Sequence, residues 1–275
     1  MRPYFLVSAA AAMLSAPLPA LAQSADWTGF YAGGRLGYTT QPEDNDEIVE
    51  FDTNLDGSFG DTVSLVSGAN AFSTGFCGGR ALSARTTGCS DRDGTEWAVH
   101  AGYDYQLSDL IVVGLVGEYG RSEISDSVTA FSTTPAFYTF TRRLRDNASL
   151  RARAGASFGR TLVYGTGGIA YGKIRRSFAT SNVVNTVTEN EGDDKAWGYR
   201  VGGGVEQRVS DNFSIGVQYL HTSFRDNDDF TVRLGGATVP VSNPFIRTNA
   251  QGTDFRRTST RFNSNNVSVV ASFRF

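Results

Sequence analysis

The chain reads as an all-β protein, an eight-stranded antiparallel transmembrane β-barrel with four long extracellular loops. Three observations carry that reading. The closing stretch, residues 266–275, alternates strictly: Val267, Val269, Ala271, Phe273 and Phe275 on one parity, Asn266, Ser268, Val270, Ser272 and Arg274 on the other. That period of two makes a strand with one apolar and one largely polar face. Seven further segments of the same kind precede it, and the connections between them alternate short and long. A strand whose apolar face meets lipid needs partners along both edges, so the sheet must close.

In order, the first strand, residues 29–38, sets Phe30, Ala32, Leu36 and Tyr38 opposite Arg35. The second, 95–106, alternates Trp97, Val99, Ala101, Tyr103 and Tyr105 with Glu96, His100, Asp104 and Gln106. The third, 111–121, puts Ile111, Val113, Leu115 and Tyr119 outward and Glu118 inward. In the fourth, 147–158, Leu150, Ala152, Ala154, Ala156 and Phe158 alternate with Arg151, Arg153 and Ser157. The fifth, 161–171, is so rich in glycine that its faces stay unassigned. The sixth, 196–209, carries Trp197, Tyr199, Val201, Val205 and Val209 against Arg200, Glu206 and Arg208. The seventh, 213–222, sets Phe213, Ile215, Val217 and Tyr219 against Ser214, Gln218 and Thr222. Each is near the roughly 9–11 residues that a tilted strand needs to cross the hydrocarbon.

Short connections fall at 107–110, 159–160 and 210–212, and long polar ones at 39–94, 122–146, 172–195 and 223–265. Outer-membrane barrels show this asymmetry, with short periplasmic turns and long outside loops. A soluble lipocalin-like barrel would face its charges outward and its apolar residues inward, and nothing in it would call for long loops at one end.

Residues 1–22 read as an export signal: Arg2, an apolar run from Phe5 to Leu14, and the small-x-small site Ala20-Leu21-Ala22. The run is too short for a spanning helix and is followed by Pro17 and Pro19. Residues 23–275 then form the barrel domain, with 24 Lys and Arg against 28 Asp and Glu, a net charge of -4. No basic stripe stands out, so no nucleic-acid partner is expected. Glycine (31) and aromatics (12%) are abundant while Met, His and Cys occur twice each. That composition fits strands with one face toward a polar lumen.

Asp26-Trp27-Thr28-Gly29-Phe30-Tyr31-Ala32-Gly33-Gly34 resembles the start of the small porin-like surface proteins of alphaproteobacterial outer membranes. Tyr164-Gly165-Thr166-Gly167-Gly168-Ile169-Ala170-Tyr171-Gly172 is similar to the glycine-rich fifth strand of that family, and Val217-Gln218-Tyr219-Leu220 with the terminal Phe275 to its last two. The resemblance implies an OmpA/OmpX-like barrel acting as a surface antigen, an envelope-stabilising protein or a weak porin. It also implies that Phe273 and Phe275 form the membrane-assembly signature read by the outer-membrane assembly machinery. The partners expected are therefore outer-membrane lipid, that machinery, and a host or envelope ligand for the surface loops. The first and last loops are longer than the family's.

Four constellations suggest other chemistry. Gly165-Thr166-Gly167-Gly168-Ile169-Ala170 matches a dinucleotide fingerprint, but a polar stretch follows instead of the helix N-terminus which that chemistry needs. Glu96, His100 and Asp104 would share a helix face as metal ligands; on a strand each step of four residues spans about 13 Å, beyond one ion. His221 and Ser223 point the same way on a strand and resemble the His-x-Ser of outer-membrane lipid A deacylases, with Asp226, Asp228 and Asp229 nearby as orienters. Asp52-Thr53-Asn54-Leu55-Asp56-Gly57 fits the first half of a calcium loop, with Val63 where the bidentate Glu belongs and Asp61 as a substitute. A rim histidine accounts for the third and a solvated turn for the fourth. No catalytic site, cofactor or resident metal is expected. Cys77 and Cys89, exported to an oxidising compartment and without CxxC spacing, are expected to form a disulfide.

By parity the lumen receives Arg35, Arg151, Arg153, Arg200, Arg208 and Arg274 against Glu96, Asp104, Glu118 and Glu206, with His100 and Gln218 among them. An eight-stranded barrel is just wide enough for side chains to fill, so these groups are expected to pair across the axis and block it.

Overall fold

The computed structural model describes residues 26–42, 46–84, 88–190, 192, 194–226, 230–236 and 239–275. The export signal lies outside the described residues. In chain order the strands are β1 (Gly29–Thr40), β2 (Val49–Asp52), β3 (Gly75–Gly78), β4 (Arg80–Ala81), β5 (Cys89–Ser90), β6 (Gly94–Gln106), β7 (Ile111–Ser122) and β8 (Ser125–Ser132). They continue with β9 (Ala136–Phe158), β10 (Thr161–Thr180), β11 (Thr186–Asn190), β12 (Lys195–Arg208), β13 (Phe213–Arg225), β14 (Thr231–Gly235), β15 (Thr253–Arg257) and β16 (Arg261–Arg274).

Eight of these close a barrel, in the order β10-β12-β13-β16-β1-β6-β7-β9, and β9 pairs back onto β10. Every pairing is antiparallel. Closure removes the sheet edge, the condition for placing strands in lipid. The alternation read from the sequence decides the faces. Phe30 (67% exposed) and Leu36 (63%) point outward, as do Leu115, Leu150, Ile169 and Val205, while Arg35, Glu118, Arg151 and Arg200 are buried inside. The fifth strand, β10, sends Leu162, Tyr164, Thr166 and Ala170 inward and Val163 and Ile169 outward. Its glycines serve close approach: a Cβ on Gly168 would stand 2.0 Å from the Leu150 carbonyl oxygen.

The long connections are not simply polar loops. β9 and β10 run 23 and 20 residues, well past the length that crosses a membrane. Their upper halves pair with each other beyond a bulge at Gly172/Ile174. The bulge sets two residues of β9 against one of β10, which turns Leu144 and Arg142 toward the interior although Asn147 and Arg151 already face it. β8 continues this sheet and β3 pairs with β8. A second sheet, β11-β14-β15-β2, lies across from it. Between them is an apolar core from all four long connections, including Val49, Phe51, Phe72, Tyr138, Phe140, Phe245 and Phe255. The outside segments thus fold into a β-sandwich cap on the barrel mouth. Cys77 and Cys89 are bonded to each other and join β3 to β5, with Cα atoms 6.1 Å apart. The bridge is therefore anchored at its Cys77 end in the sheet continuous with the barrel, and at Cys89 in the separate β4-β5 ladder.

Candidate functional site

The lumen is filled in layers. At the periplasmic end Trp27, Val112, Leu162 and Tyr164 make an apolar floor. Above it Arg274 donates to Asp104 at 2.9 Å and Arg153 to Glu206 at 2.7 Å, with Ser214 Oγ donating to the same carboxylate at 2.6 Å. The Arg153 guanidinium lies 4.0 Å over the Tyr164 ring, which supplies attraction on its open face. The backbone leaves room for this: a Cβ on Gly114 would meet Asp104 Oδ1 at 2.2 Å.

The middle layer is knotted on one carboxylate. Glu118 accepts from Arg35 through Nε (3.0 Å) and Nη2 (2.9 Å), from Arg151 Nη2 (2.9 Å) and from Arg200 Nη1 (2.6 Å). Glu96 pairs with Arg35 and stands 3.5 Å from Arg200. Neutral groups take other donors: Asn266 and Arg35, Asn147 and Thr222 with Arg200. His100 shares a hydrogen bond with Ser272, and Gln218 donates to the Tyr164 hydroxyl. Above comes an apolar layer of Ile124, Leu144, Ala170, Ile174, Ala196, Phe224 and Phe262.

Nine of the ten charged residues expected in the lumen are buried there. Arg208 is the exception. It sits at the periplasmic rim, donating to the carbonyls of Asp26 and Asp211 and lying 5.6 Å from the Trp27 ring. As the last residue of β12 it stands at the end of the wall, so parity could place its face but not its depth.

Sequence reasoning missed a second ionic cluster in the mouth. Arg142 donates to Asp126 and to Asp226 (3.2 Å), and Arg176 also pairs with Asp226. Arg257 takes Glu47 through two 2.6 Å bonds and Asp126 through one of 2.9 Å. Against the upward push of burial, Arg257 and Arg142 hold the Asp126 carboxyl below its usual range. Asp91 beside it is pushed up to about 7 by burial and by the charge of Asp126. The one available signal was that Arg142, Arg176, Asp226 and Arg257 each border an apolar alternation such as Tyr138/Phe140 or Val232/Leu234.

The other constellations resolve individually. His221 lies on the outer face, 2.9 Å from Asn265 Oδ1, an amide in place of the acidic orienter the sequence offered. Asp226 is held by arginines inside the mouth, and Asp228 and Asp229 lie outside the described residues. The Asp52 carboxylate accepts the backbone N–H groups of Leu55, Asp56 and Gly57, closing a tight turn, and Asp61 is bonded to Thr53. Among the described residues no three His, Cys, Asp or Glu side chains are grouped to hold a metal. Phe273 and Phe275 stack edge to face, 5.3 Å apart, on the lipid side of the periplasmic edge.

Comparison with known proteins places this geometry. The family model described as the outer membrane protein beta-barrel domain matches residues 8–275. The 31 kDa outer-membrane immunogenic protein of Brucella melitensis biotype 1 is 27% identical over 209 residues, 76% of this chain and 75% of its own. The 22 kDa outer membrane protein of Rhizobium leguminosarum bv. viciae is 30% identical over 130 residues, 47% of this chain and 53% of its own. Among solved structures, the outer membrane protein OprG of Pseudomonas aeruginosa aligns over 93% of this chain and 100% of its own, with 12% identity and a TM-score of 0.46.

Proposed function

The chain belongs to the outer membrane protein β-barrel family, and from that premise we propose a structural and surface-interaction role for it, with at most small-pore activity. It is an integral outer-membrane protein of a Gram-negative bacterium. The observation that carries the proposal is the filled lumen: two ionic layers and an apolar one are stacked on the apolar periplasmic floor, below the mouth. A solute-conducting pore needs a continuous wet path, and paired guanidiniums and carboxylates across so narrow an axis leave little of one. Outside, the folded cap offers a rigid surface for an envelope or host ligand. The relatives named as immunogenic support such exposure. Below it the apolar belt meets outer-membrane lipid, and Phe273 and Phe275 stand where the assembly machinery would read them. The amide beside His221 supports a non-enzymatic role.

Planar-bilayer recording tests this. The expected result is a closed or briefly flickering protein of small, weakly anion-preferring conductance, raised in Arg200→Ala or Glu206→Ala. Steady, porin-sized openings of the wild type would replace the proposal with a solute-conducting porin.

A further inference from the structure

The luminal charges do not balance. In the lower layer Arg153 and Arg274 face Asp104 and Glu206, two against two. In the middle layer Arg35, Arg151 and Arg200 face only Glu96 and Glu118. One positive charge is left over, and arginine does not relieve it by losing a proton. A buried unpaired charge is costly, so the surplus calls for a counter-charge.

The surplus has an address. Arg35 and Arg200 each touch both carboxylates, whereas Arg151 reaches Glu118 through Nη2 alone. Its Nε and Nη1 groups, three N–H donors, are buried without an acceptor among the described residues, in a residue only 1% exposed. Arg151 also lines a cavity of about 20 Å³ inside the lumen, together with Arg153, Tyr31, His100 and Thr166. Two of these bring further unmet donors, Arg153 Nε and the Tyr31 hydroxyl. The one carboxylate on the wall, Glu118, has both oxygens taken by guanidiniums.

We propose that this cavity is a binding site for a single monovalent halide-sized anion, chloride in the natural setting, held by Arg151, Arg153 and Tyr31. Size and charge agree on that class. The volume is about that needed for one water-sized particle (≳10–15 Å³), which suits a compact single-atom anion better than a sulfate or phosphate. One negative charge neutralises the surplus, and a ring of donors suits an ion that only accepts. The anion completes the plug by giving Arg151 Nε and Nη1 the acceptor that no described side chain supplies. The site is independent of whatever the cap binds.

The test uses full-length protein purified in detergent with chloride exchanged for gluconate at constant ionic strength. Thermal unfolding is followed by the shift between the unheated and heated gel species. Adding chloride or bromide in place of gluconate is expected to raise the midpoint by roughly 5–10 °C over a ~100-fold range above the dissociation constant, by mass action. Sulfate should leave it unmoved. Arg151→Met removes the surplus charge with little loss of volume, and its midpoint should not respond to the anion. Bromide-soaked crystals of the wild type should show an anomalous peak in the cavity, a readout that stands even if the variant does not fold. A midpoint indifferent to halide, a response retained in Arg151→Met, or a cavity holding water with no bromide peak would overturn the proposal.

Discussion

Replacing Glu118 by Gln tests the plug at its centre. Glu118 accepts four hydrogen bonds from three guanidiniums. Neutralising it leaves Arg35, Arg151 and Arg200 facing Glu96 alone, which doubles the layer's excess from one positive charge to two. Arg35 and Arg200 keep other acceptors, in Glu96, Asn266, Asn147 and Thr222. Arg151 keeps none among the described residues, so the cost concentrates there. Breaking one partner of a buried pair costs about 3–5 kcal/mol, because it strands an uncompensated charge. Urea unfolding in lipid vesicles, followed by tryptophan fluorescence and by the gel shift on heating, should register that loss. The double variant Glu118→Gln/Arg151→Met should recover about 0.5–3 kcal/mol of it, since it removes the stranded cation together with its acceptor. An unfolding free energy for Glu118→Gln within about 0.5 kcal/mol of wild type, the range of an inconsequential surface change, would refute the reasoning.

Other expectations concern the cap. Phe255 is fully buried, with the rings of Phe51, Phe72, Tyr138 and Phe245 4.9–5.9 Å away. Phe255→Ala should destabilise the sandwich by about 3–5 kcal/mol, seen as faster proteolysis of the cap with the gel shift of the barrel retained. Reducing Cys77–Cys89 releases a closure of roughly 13 residues, worth on the order of 3 kcal/mol by chain entropy. Because Cys77 sits in β3 against β8, hydrogen exchange should quicken in β3 and β8 as well as between the cysteines; quickening confined to the closed loop would argue against that anchoring. Asp91 is an acid whose folded pKa, pushed up to about 7, exceeds its unfolded value near 3.8. The folded cap therefore favours the protonated form, and cap stability should fall as pH rises from about 4 to 7 and level off above it. Asp91→Asn, which keeps an acceptor for the Ser127 N–H, should flatten that slope, and proteolysis rates across the range measure it.

The sequence by itself determined the barrel. Period-two alternation is a local property, so Leu115 beside Glu118 or Leu150 beside Arg151 announces its face wherever the strand lies. The order of short and long connections then set the topology, because closing an antiparallel sheet in lipid leaves one way to join neighbours. Glycine carries no side chain to mark a face, which is why β10 became readable only through Arg151, Leu150 and the strands flanking it. Depth escaped the pattern too, and Arg208 reached the rim rather than the lumen.

Tertiary structure alone decided the rest. Each cap segment is too short and too polar to declare a core, and Val49/Phe51 or Thr253/Phe255 gain meaning only when sheets from distant connections close over them. Arg257 and Glu47, 210 positions apart, become a pair only there. One bulge reverses the parity of β9, so Arg142 faces inward against the register of the strand below it. The choice of partners in the lumen follows from strand stagger and side-chain reach, quantities that no linear spacing contains. They bring three arginines to Glu118 and leave Arg151 with donors to spare.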